Sequence, residues 1–183
     1  MGESRAADPY DEVHTVSSPA DDEPHARGKR AMLRHALATL AYRGGKAIRD
    51  ASPAVADFHA SEKTRTPLQI LAHLGDLLDW ALSLAEGQQR WHVSTPGSWD
   101  EESARFFAAL GRLDDYLAGD RPLGGSAEQL LQGPVADAFT HVGQIVMLRR
   151  LAQSPVRSEN FAIAQIMTGH VTSEQGAPKF EFD

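Results

Sequence analysis

Asp137 and His141 stand four residues apart in GPVADAFTHVGQIVMLRRLA, Gly133 to Ala152, the longest uninterrupted helical pattern in the chain. On an α-helix such a pair is turned by about 40° and separated by about 6 Å along the axis. A carboxylate and an imidazole so placed can both reach one small ion. A second imidazole, His73, lies within the apolar stripe of PLQILAHLGDLLDWALSL. Helical proteins commonly hold metals between facing helices, with ligands projected from stripes that are otherwise apolar. His73, Asp137 and His141 fit that arrangement, and three protein ligands leave positions open for water or substrate, as a catalytic divalent site requires. Gln144, one turn after His141, is expected to orient a ligand or a bound water. No side chain is assigned from the sequence as a catalytic acid, base or nucleophile.

A metal-free reading of the same residues stays open. A histidine on an apolar helix face is also an ordinary hydrogen-bonded core residue, and Asp137, in the first turn of its helix, complements the helix dipole. His35, on the first helix beside a polar flank, His92, in the tryptophan loop, and His14, His25, His59 and His170, with no partner at ligand spacing, are read as surface residues. Trp80, Trp91 and Trp99 are read as core and loop anchors, with the option of lining a pocket.

Other chemistries lose their support. The chain contains no cysteine, which removes disulfides, thiolate nucleophiles and Cys-ligated zinc. It has no phosphate-binding glycine loop, G-x-S-x-G elbow, H-E-x-x-H pair or dinucleotide fingerprint. A formal net charge of -7 argues against nucleic acid as a partner, with HARGKR at His25 to Arg30 as a short local exception. No apolar run is long enough to span a bilayer, and MGESRAADPY lacks the apolar core of a secretory signal. The expectation is a cytoplasmic protein with no membrane partner.

Four long amphipathic helices must position the candidate ligands. At 183 residues, 42% hydrophobic and 23% charged, the chain suits one domain with a full core. Residues 1–24 read as a loose acidic arm, and 25–183 as the domain. The first helix is expected from Gly28, through Leu33, Leu37, Leu40, Ala41, Ala47 and Ile48, to the stop at Asp50 to Pro53. Within it, Gly44-Gly45 marks either close helix packing or a weak point. A polar linker, Ala54 to Arg65, precedes a capping box, Thr66 with Gln69, and Pro67 at the first helical position. Ser98 with Glu101 starts the third helix in the same way, and Ser126 opens a brief helical turn. Pro134 is expected as the first residue of the fourth. The pattern predicts an all-α, four-helix bundle, with a C-terminal segment, FAIAQIM, that is a short helix or a strand.

The stretches PLQILAHLGDLLDWALSL, WDEESARFFAALGRLDDYL and DAFTHVGQIVMLRRLAQSPV, in that order, resemble the DinB-like superfamily of bacterial four-helix-bundle metalloenzymes. The tail from Glu159-Asn160-Phe161 through Gly169 to Glu174-Gln175 is similar to the end of an uncharacterised branch of that superfamily, so the likeness runs from about Arg27 to the C-terminus. The resemblance implies a divalent-metal site built from one histidine on the second helix, matched by His73, and two histidines four apart on the last, of which His141 matches the second. Asp137 stands where the family pattern has the first. Aspartate is an acceptable ligand for zinc, nickel, manganese or iron, but it is shorter than histidine and brings a negative charge.

The resemblance further implies a metal-dependent transferase or isomerase that activates the thiol of a low-molecular-weight cofactor, such as mycothiol or bacillithiol, against a small-molecule substrate. The alternative is a non-catalytic, metal-free bundle that works as a dimerisation or protein-interaction module. A homodimer through an outer helix face is expected in either case.

Overall fold

The computed structural model describes residues 23–182, so the acidic arm lies almost entirely outside the described residues, as does His14. The protein is mostly helical. Its helices are α1 (Glu23–Ile48), α2 (Pro53–Ala56), α3 (Pro67–Ala85), α4 (Trp99–Ala118), α5 (Ala127–Leu130) and α6 (Ala136–Leu151). The described residues form no strand beyond one isolated antiparallel bridge, Glu159 to Glu181.

The apolar stripes account for the core. Leu37, Leu40, Leu71, Leu74, Leu78, Phe106, Leu110, Leu113 and Ile145 are essentially inaccessible to solvent. Each long helix packs on two others: α3 on α4 and α6, and α1 on the same pair. The contact between α3 and α6 brings the two candidate ligand stretches together. Close approach of α1 to α4 needs Gly44, because a Cβ there would lie 2.7 Å from the Phe106 ring. Gly44 of the glycine pair is therefore a packing site.

Helix starts follow their capping chemistry. Thr66 and Gln69, Ser98 and Glu101, and Ser126 and Gln129 each form a complete capping box that satisfies otherwise orphaned amides. Three elements differ from expectation. Helix α1 begins at Glu23, ahead of its first apolar repeat, and its early turns bear Arg30, which donates to the carbonyls of Gly119 and Arg121 at the end of α4. The expected linker contains α2, which buries Val55 and Ala56. The C-terminal piece is neither a regular helix nor a strand, but one 3-10 turn, Phe161–Ile163, in an otherwise irregular tail of turns and bends. Tyr42 Oη donates to Glu159 at 2.7 Å, and Lys46 Nζ bridges Glu159 and Glu181 at 2.7 and 2.6 Å, so polar bonds to α1 anchor this tail.

The entry into α6 also departs from a simple proline start. A widened π turn, Leu131–Val135, runs from α5 straight into α6, and Gly133 leaves helical geometry at φ -87°, ψ -105°. Pro134, lacking a backbone donor, follows this break and is buried.

Candidate metal centre

His73 is on α3 and half-buried; Asp137 and His141 are on the first turns of α6, with His141 buried. The packing of α3 on α6 brings all three together, and one ligand atom from each lies within 4.8 Å of the others. The imidazole rings of His73 and His141 have centroids 4.7 Å apart at 63°. Two imidazole nitrogens and a carboxylate in this space form a donor set that can hold a divalent ion.

His141 has a defined orientation. Its Nδ1 lies 2.9 Å from the main-chain oxygen of Asp137 and 3.2 Å from Asp137 Oδ1. A carbonyl oxygen only accepts, so Nδ1 carries the proton, and the lone pair of the neutral ring is left on Nε2. This is the arrangement by which metal-binding histidines are commonly aimed and tuned. Thr140 Oγ1 holds Asp137 in turn, donating to its main-chain oxygen at 2.8 Å and approaching Oδ1 at 3.3 Å.

The dipole explanation for Asp137 loses much of its force here. Val135 ahead of α6 is already helical, and the amide of Ala136 bonds to carbonyls of the π turn. No bare helix terminus faces the carboxylate.

Burial lowers the affinity of His73 for a proton, with the charges of His141 and Arg65 acting in the same direction; Asp137 and Asp76 oppose them. The shift favours the neutral imidazole, the form with a lone pair to donate. Neither ring nitrogen of His73 has a hydrogen-bond partner among the described residues. Trp91 meets the His73 ring edge-on at 5.7 Å, and Trp80 meets Trp91 at 5.7 Å. Trp99 stands apart at the start of α4, its Nε1 donating to Ile48 O at 3.4 Å.

Gln144 is exposed and makes no hydrogen bond to His73, Asp137 or His141; the orienting contact on His141 comes from Asp137. His25, His35, His59 and His92 are exposed, and half-buried His170 is engaged with the carbonyl of Glu174.

Sequence reasoning missed a second polar cluster, one turn along α3. Arg105 Nη1 donates to Asp76 Oδ1 at 3.0 Å, Nε to Glu102 Oε2 at 2.8 Å, and Nη2 to Ser94 Oγ at 2.8 Å and to the carbonyl of Ala72. Asp76 also accepts from the Ser94 amide and hydroxyl at 3.2 and 2.8 Å. Gly75 makes room, since a Cβ there would lie 2.5 Å from the guanidinium carbon. The available signal was Gly75-Asp76 inside an apolar helical stripe.

Comparison with profiles of known families, with curated proteins and with solved structures finds no match. No described helix is long and apolar enough to cross a membrane.

Proposed function

We propose that this protein is a divalent-metal enzyme with the architecture of a DinB-like four-helix bundle, in which His73, Asp137 and His141 hold the ion between α3 and α6. The observation that carries the reading is the convergence of three ligand atoms from two helices within 4.8 Å. The mutual packing of α1, α3, α4 and α6 supports the bundle assignment.

A bound divalent ion supplies Lewis acidity, lowering the pKa of a coordinated thiol or water and presenting it as a nucleophile. The protein's part is to supply two imidazoles, to fix the ring of His141 through Asp137 and to set His73, half-buried, beside Trp91. By the resemblance, the reaction class is transfer or isomerisation with a low-molecular-weight thiol, acting on a small-molecule electrophile in the cytoplasm as a homodimer.

One observation favours a second reading. The pairing of Asp137 with His141 is also what a metal-free interaction module would show, with the carboxylate satisfying the histidine and no ion involved. Calorimetric titration of the purified protein with zinc, nickel and manganese separates the two. Micromolar or tighter uptake of one ion, abolished in His73→Ala and His141→Ala, supports the metal reading. Absence of uptake, or equal uptake by both variants, leaves the interaction module.

A further inference from the structure

Trp91 is the one large aromatic in the loop between α3 and α4 that touches a candidate ligand, and it is held from both sides. Before it, the Arg90 amide donates to Ser83 Oγ at 3.2 Å. After it, Ser94 is bound through its amide and hydroxyl to Asp76, and its hydroxyl also accepts from Arg105. The Gly97 amide donates to Glu102 Oε1 at 2.9 Å, tying the far end of the loop to the same cluster. A guanidinium and two buried carboxylates thus fix a segment with no regular secondary structure. The purchase of this fixation is the placement of one indole, wedged edge-on between Trp80 and His73 and only half covered. A rigid aromatic surface with two rotatable side-chain bonds loses little entropy when a ligand packs on it.

We propose that Trp91 is a specificity-determining wall of the metal centre, held by the Ser94, Asp76 and Arg105 cluster, and that it selects ligands carrying an apolar group beside their metal-binding atoms. This rests on the metal reading above and names its substrate class: a small metal-binding head with an apolar arm. A wholly polar ligand of the same head group gains nothing from the indole and forces its partial desolvation. Ser94, Asp76 and Arg105 are positioning residues, since they reach the ligand only through Trp91.

The test uses two probes with the same chelating head, acetohydroxamate and benzohydroxamate, titrated calorimetrically into the nickel-loaded full chain and into aqueous nickel as reference. Relative to that reference, the wild type is expected to favour benzohydroxamate by about tenfold, the scale of discrimination that a modest apolar pocket contact provides. Trp91→Ala is expected to bind nickel as the wild type does but to lose the preference. Trp91→Phe is expected to recover most of it, and Ser94→Ala to show an intermediate ratio with unchanged nickel affinity. Nickel uptake with no preference in the wild type, or a preference that survives in Trp91→Ala, overturns the wall and leaves the metal reading standing. Failure of the wild type to take up nickel, zinc or manganese overturns both.

Discussion

Helix α3 carries two polar residues three positions apart, His73 facing α6 and Asp76 facing α4, and their surroundings follow opposite rules. Around Asp76, each carboxylate oxygen accepts at least one hydrogen bond, and Arg105 distributes its donors over Asp76, Glu102, Ser94 and Ala72. Around His73, two imidazoles meet at 4.7 Å, and half-buried His73 has no hydrogen-bond partner among the described residues. Buried polar groups normally come paired, because an unpaired one forfeits its hydration for nothing. The first cluster therefore explains itself as structure. The second is not closed in this way: half-buried His73 has no ion-pair partner of its own among the described residues, and the two imidazoles and the carboxylate beside it form a donor set complementary to a cation.

The sharpest way to break this contrast is Arg105→Ala. Removing the cation strands Asp76 and Glu102, which are 5% exposed, so urea unfolding should show a loss of about 3 kcal/mol. A loss under about 1 kcal/mol would mean that the cluster is not structural. In His73→Ala and His141→Ala the pattern should invert: calorimetry should show metal affinity falling by at least about 100-fold, while the unfolding free energy of the metal-free protein changes by only about 1 kcal/mol. Asp137→Asn refines the role of the carboxylate. If Asp137 chiefly orients His141, affinity should fall by about tenfold; a fall as large as that of His73→Ala identifies it as a ligand.

The smallest expected effect concerns the tail. Burial, together with the hydrogen bond to Glu159, raises the Tyr42 hydroxyl from 10.0 to about 12. The folded state holds that proton more tightly than the unfolded chain. The stability so contributed is complete below pH 10.0 and is lost as pH rises through about 12. Urea midpoints measured across this window should fall in the wild type and change less in Tyr42→Phe.

The parts of this molecule that were legible in the sequence are those set by local rules. Thr66 with Gln69, and Ser98 with Glu101, announced their helices because capping is decided within four residues. The stripe from Ile70 to Ala81 announced a buried face, and His73 within it announced a candidate ligand. The start of α1 was hidden because its first turns are polar and bond to the end of α4. The tail was hidden because its conformation depends on Tyr42 and Lys46, more than a hundred residues away. Arg105 was hidden for the same reason: its partners come from α3, α4 and the loop between them, and no period in one segment records such a meeting. Asp137 was legible as chemistry, but its double contact with His141 needed coordinates.

The break at Gly133 gives α6 an independent angular setting. A regular helix turns about 100° per residue, so one residue inserted between Pro134 and Asp137 would swing the carboxylate and His141 away from His73 together. The same insertion before Gly133 meets a joint that already departs from helical geometry and can absorb the extra rotation there. The two candidate ligand positions of α6 are thus phased against α3 by the turns that follow the joint.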